Sequence, residues 1–129
     1  MSEHLVFVYG TLRRGGVRAM PELFPGARFV GRGSVRGSLY DLGEYPGLLL
    51  DAAGSTVAGE VYEIDEEILR QLDEIEATTF YARRQVEVSL DDGRRACWVY
   101  VYDAESHPSR TLIASGDWIE YARAKAETA

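Results

Sequence analysis

The sequence predicts an α+β domain built around a bent, barrel-like, antiparallel-rich sheet. Three observations carry this: many short β-rich runs, glycines placed inside strand pattern, and only two segments with helical periodicity. The chain has 129 residues, enough for one domain with a real core, and residues 1–129 are read as a single domain. An apolar fraction of 46% with 11% aromatics argues for a packed fold rather than disorder.

Leu5 to Tyr9 form a short β-rich run that Gly10 ends, which is the signature of a buried strand. Residues 27–40, ARFVGRGSVRGSLY, hold glycines at 31, 33 and 37, as expected of a bulged or sharply bent strand. YPGLLL reads as a turn followed by a short apolar strand, and TVAGEVYEI alternates as a further strand. YARRQVEVSL-DDG-RRACWVYVYD is a hairpin: Val86, Val88 and Leu90 share one face, and Asp92-Gly93 lie at the turn. Helices are expected from Asp65 to about Glu76 and over SGDWIEYARAKAE, where Ser115 or Asp117 supplies the N-cap.

The central helix carries one acid out of pattern. With Ile64 at zero and about 100° per residue, Ile75, Ile68, Leu72 and Leu69 fall between about 20° and 140°, the buried arc. Asp73, Glu66, Glu74 and Glu67 fall between about 180° and 300°, toward water. Glu76 falls at about 120°, among the leucines. Asp65 also projects into the arc, but it begins the helix and acts as its cap. Burial and the negative end of the helix dipole would both raise a carboxyl pKa at position 76, making it a proton acceptor and donor near neutral pH. The alternative is a helix that frays before position 76, or a Glu76 paired with Arg83 or Arg84.

The stretch VFVYGTLRRGG is open in the same way. Either Gly10 ends a strand and Thr11 caps a turn, or Gly10 lets the backbone approach a ligand, so that successive N–H groups hold a carboxylate or oxyanion. The glycine-lysine-serine/threonine pattern of a phosphate-binding P-loop is absent.

Taken together, Tyr9-Gly10-Thr11-Leu12 after an apolar strand, then LYDLGEYPGL, GEVYEI, Leu72-Asp73-x-x-Glu76, WVYVY and SGDW resemble the γ-glutamylcyclotransferase-like family. Their order looks closest to its short branch, which includes γ-glutamylamine cyclotransferases, and the resemblance spans residues 5–121. It implies a small bent mixed β-barrel flanked by helices. It also implies that Glu76 is the proton-transfer residue and that Tyr9, Gly10, Thr11 and Leu12 form the substrate-binding loop. The activity implied is cyclisation of the γ-glutamyl group of a small γ-glutamyl amine or peptide to 5-oxoproline, with release of the amine. No cofactor or metal is required. Many relatives carry glycine after this glutamate where Ala77 stands here, so a left-handed cap at that point would be costly. A domain that keeps the pocket but has lost useful turnover is the alternative, and a γ-glutamyl group carried on a larger molecule is a third.

Arg13, Tyr81 and Arg83 are further pocket candidates; Arg13 and Arg14 otherwise read as solvated charge beside the loop. His4 and His107 are the only histidines and Cys97 the only cysteine, which argues against a Cys/His zinc site. Cys97 lies opposite Ala96, Trp98 and Tyr100 on an alternating strand and reads as a small buried thiol rather than a nucleophile. A net charge of −7 opposes nucleic-acid and anionic-membrane partners, and CWVYVY, though aromatic, lacks basic interleaving. The N-terminus MSEHLVFVYG has no signal-peptide pattern, so a cytoplasmic location is expected. Nothing in the sequence sets an oligomeric state.

Overall fold

The computed structural model describes residues 3–14, 19–43, 45–51, 53–76, 81–102 and 111–128. The strands are β1 (Glu3–Val8), β2 (Arg28–Asp41), β3 (Pro46–Leu50), β4 (Ser55–Asp65), β5 (Tyr81–Leu90), β6 (Gly93–Tyr102) and β7 (Thr111–Leu112). The helices are α1 (Met20–Leu23), α2 (Glu66–Glu76) and α3 (Trp118–Thr128).

The sheet runs β3-β2-β4-β1-β6-β5, and a second pairing of β2 with β5 closes β2-β4-β1-β6-β5 into a five-stranded barrel. The β1–β6 pair is parallel and the other pairings are antiparallel, so the barrel is mixed, as the resemblance implied. β3 and β7 attach to the far end of β2.

Closure depends on the length and curvature of β2. Its pairing with β4 slips between Phe29 and Gly31, a bulge that bends the strand where glycines interrupt it. Gly33 then lies opposite Leu90. A Cβ at 33 would stand 2.6 Å from Val88 Cγ1, so only glycine allows β2 and β5 to meet there.

Strand alternation divides the core in two. Phe7 and Tyr9 of the first segment, with Cys97 and Val99 of β6, pack inside the barrel against Val35, Leu39, Leu48, Val57, Val61 and Val88. Val6 and Val8, with Tyr100, point outward beneath α2, where Ile68, Leu69 and Leu72 cover them. The helical wheel therefore holds: these three α2 residues are buried, while Glu66, Glu67 and Glu74 are exposed. Each fully buried leucine contributes roughly 1.5–3 kcal/mol. Both caps form as expected. Asp65 Oδ1 accepts from Ile68 N–H at 2.8 Å, and Asp117 Oδ1 accepts from Glu120 N–H at 3.1 Å.

Candidate functional site

α2 extends through position 76 without fraying earlier, and Glu76 is half-buried. Its carboxylate lies within electrostatic reach of three phenols, one just after β1, one at the start of β5 and one on β6. Burial first raises Tyr9 well above the ordinary tyrosine value; its neighbour Tyr81 and then Glu76 add to the rise. Tyr81 is raised chiefly by burial, with Glu76 next and Tyr45 after it. Tyr100 is raised by burial and by its bond to Asp73, and Glu76 contributes again. An anion opposes phenolate formation at several sites only when it sits close to all of them. All three hydroxyls stay protonated and remain donors at neutral pH.

The turn after Tyr9 reaches the same place. Arg13 N–H donates to Gly10 O at 3.0 Å and Met20 N–H to Leu12 O at 2.8 Å, so these main-chain bonds shape residues 10–13. The Pro46 ring rests on Gly10: a Cβ at 10 would lie 2.5 Å from Pro46 Cγ. The Pro46 carbonyl accepts the hydroxyl of Tyr81, and the Tyr45 ring stands 6.3 Å from that of Tyr81. Gly10 is thus required by a proline from β3, a contact the sequence did not reveal. The turn, the start of β3, Tyr81 and Glu76 converge on one region.

Tyr9 is anchored rather than free to rotate. Its hydroxyl donates to Tyr100 O at 2.6 Å and the phenol also accepts a main-chain bond from Leu48. Arg83 stacks on Trp98, with Cζ 4.3 Å from the ring centroid, and its Nε approaches Asp73 Oδ1 at 3.4 Å. Arg83 Nη1 is buried with no partner among the described residues. Arg84, by contrast, is exposed.

Arg13 departs from the expectation of a solvated charge. It is buried, with Nη1 2.9 Å from Asp117 Oδ1 and Nε 3.4 Å from Glu60 Oε2. Glu60 also accepts from Arg14 N–H and from Tyr62 Oη, each at 3.0 Å. Burial and this bond push the Tyr62 phenol up to about 12. Arg13 therefore braces the loop against β4 and the start of α3. Arg14 lays its guanidinium 4.0 Å from the Phe29 ring centroid.

Sequence reasoning missed Tyr45 and Pro46, read the tyrosines of CWVYVY, Tyr100 among them, only as core or pocket lining, and placed Asp73 toward water. Asp73 is half-buried and accepts from Tyr100 Oη at 2.7 Å. Its position at the edge of the polar arc was the available signal. Ala77 and His107 lie outside the described residues. His4 Nδ1 accepts from Trp98 Nε1 at 3.3 Å, and His4 Nε2 lies 2.5 Å from Glu66. Among the described residues no group of three or more His, Cys, Asp or Glu side chains is placed to hold a metal ion. Cys97 is buried inside the barrel, and burial pushes its thiol up to about 11, which removes it as a nucleophile. Among the described residues no helix is long and apolar enough to cross a membrane.

The family model described as "Gamma-glutamyl cyclotransferase, AIG2-like" matches residues 6–120. The chain belongs to that family. It is an enzyme of the γ-glutamylcyclotransferase kind. A putative γ-glutamylcyclotransferase of Vibrio cholerae is 38% identical over 120 residues, covering 92% of this chain and 97% of that one. The γ-glutamylaminecyclotransferase of Bos taurus is 36% identical over 115 residues, covering 80% and 67% respectively. The crystal structure of an AIG2-like protein from Mus musculus superposes with a TM-score of 0.74 at 29% identity, covering 88% of each chain.

Proposed function

We propose that this γ-glutamylcyclotransferase converts a small γ-glutamyl amine or peptide to 5-oxoproline and a free amine, with Glu76 carrying the proton. The observation that supports this most is that Glu76 lies within electrostatic reach of Tyr9, Tyr81 and Tyr100, while Pro46, which holds Tyr81, also packs on Gly10. The substrate brings its own nucleophile. Its α-amine attacks the γ-carbonyl, a five-membered ring closes, and the bond from the γ-carbon to the leaving nitrogen breaks. Because attack is intramolecular, the protein's task is to fold the chain and handle protons.

In this reading Glu76 accepts a proton from the α-ammonium and returns one to the departing amine. The main-chain N–H groups of Gly10, Thr11 and Leu12 hold the α-carboxylate or the developing oxyanion. Tyr9 is pinned by its bonds and fixes where that turn leaves the sheet. Tyr81, the first residue of β5, is held on the Pro46 carbonyl and walls the site beside the turn. Arg83 borders the site through Asp73 and Trp98, whereas Arg13 acts from behind the loop. We place the reaction in the cytoplasm, with the whole chain as one domain and no nucleic-acid or membrane partner.

Incubating the protein with a panel of γ-glutamyl amines and γ-glutamyl dipeptides, and following 5-oxoproline, tests the proposal. Release of 5-oxoproline with a stoichiometric amine from at least one member is expected. Absence of 5-oxoproline across the panel contradicts the substrate class.

A further inference from the structure

One residue joins the two halves of the site by two hydrogen bonds. The main-chain carbonyl of Tyr100 accepts from Tyr9 Oη at 2.6 Å, which fixes the strand leading into the Gly10 turn. The side chain of Tyr100 donates to Asp73 Oδ1 at 2.7 Å, which fixes α2. The same carboxylate oxygen forms an ion pair with Arg83 Nε at 3.4 Å, and the Arg83 guanidinium lies over the Trp98 ring. Asp73 stands three residues before Glu76, on the last turn of the helix.

That last turn is intrinsically weak. It carries Asp73, Glu74 and Glu76 and no basic residue, so the negative end of the helix dipole meets three acids. Helix ends already lack partners for their final carbonyls and fray. Something has to hold this turn if Glu76 is to keep one position. An exposed ion pair does little of that work, but Tyr100 is 8% exposed, and a buried phenol needs its acceptor.

We propose that Asp73 is a positioning residue: through Tyr100 and Arg83 it clamps the end of α2 and sets Glu76 relative to the amides of residues 10–12. The proposal rests on Glu76 being the proton carrier.

The test compares Asp73→Ala, Asp73→Asn, Tyr100→Phe and the Asp73→Ala/Tyr100→Phe double variant with the unaltered protein, on whichever γ-glutamyl compound the panel identifies. Asp73→Ala and Tyr100→Phe should each lower kcat at least about ten-fold with KM within about three-fold, since misplacing a reacting group by about 1 Å can cost about 10²-fold. The double variant should be no worse than the poorer single one, because both remove the same bond. Asp73→Asn keeps an oxygen that can accept from Tyr100 and should recover most of kcat. Unchanged kcat in the folded single variants overturns the proposal, as do losses that multiply in the double variant. If Asp73→Ala does not fold, Tyr100→Phe decides. Glu76→Gln in the same assay separates the two ideas: an inactive Glu76→Gln beside fully active Asp73→Ala and Tyr100→Phe removes the clamp alone, and an active Glu76→Gln removes the proton carrier. Should no compound turn over, amide hydrogen exchange decides. Tyr100→Phe should speed exchange at residues 74–76 selectively, and unchanged protection there overturns the clamp.

Discussion

Replacing Gly10 by alanine tests whether the close approach of Pro46 shapes the site. The new Cβ would lie 2.5 Å from Pro46 Cγ and 2.9 Å from Cδ, where ordinary contact begins at 3.4 Å, so about 0.9 Å of relief is needed. The proline has little room to give. Its carbonyl holds Tyr81, it pairs with Asp41, and the next residue, Gly47, is packed against Tyr102 and Leu42. The turn must therefore move instead, carrying the amides of residues 10–12 with it. Overpacking of this kind costs about 1–3 kcal/mol. At about 3–4 °C per kcal/mol for a domain of this length, Tm should fall by about 3–12 °C. A cradle displaced by about 1 Å should lower kcat/KM by up to about 10²-fold. Gly26→Ala is the control, since its Cβ meets only Ile68 Cδ1 at 3.6 Å and should leave both quantities unchanged. Differential scanning calorimetry and a 5-oxoproline assay read the two effects. Unchanged Tm and kcat/KM in Gly10→Ala would refute the packing argument; lowered Tm with full activity would refute the placement of the cradle.

Arg13→Ala should cost about 3–5 kcal/mol in urea unfolding, because it strips the cation from buried Glu60 as well as from Asp117; a loss under about 1 kcal/mol would mean the pair is neutral to stability. Asp41 gives a pH-dependent counterpart. Burial alone would raise its pKa, but hydrogen bonds from Tyr121 and Lys125 outweigh it and hold the carboxyl below its ordinary 3.8. A lowered carboxyl pKa contributes stability that is present above the unfolded value and is lost as pH falls through the folded one. The Tm gap between the unaltered protein and Asp41→Asn should therefore be full above about pH 5 and close progressively under acid. A gap independent of pH contradicts that assignment.

The parts of this fold that were legible in the sequence are those set by short-range periodicity. Val6 and Val8 alternate with Phe7 and Tyr9, and the two sets enter different cores. The α2 arc, the Asp65 cap, the β5–β6 hairpin and the glycine-bent β2 follow from spacing and turn chemistry in the same way. α1 was not legible: it has four residues, Pro21 in its first turn, and exists largely to bury Met20. β7, two residues long, is defined only by its partner, Tyr40 and Asp41 of β2. Long-range partners account for the rest. Arg13 is buried because Glu60 and Asp117 close on it from 47 and 104 residues away. Asp73 keeps a partly exposed side chain but turns toward the site because Tyr100, 27 residues on, supplies a donor at the edge of the polar arc. Glu76 stood out from periodicity and family resemblance together, while the proline that presses on its companion loop did not.

The central claim is that Glu76 moves the proton during ring closure. Glu76→Gln keeps the side chain's shape and removes its basicity, so 5-oxoproline release by the purified variant, checked for native circular dichroism, is the direct measurement. A loss of about 10²-fold or more in kcat is expected from removing a general acid–base. A folded Glu76→Gln protein that releases 5-oxoproline at the unaltered rate would contradict the account.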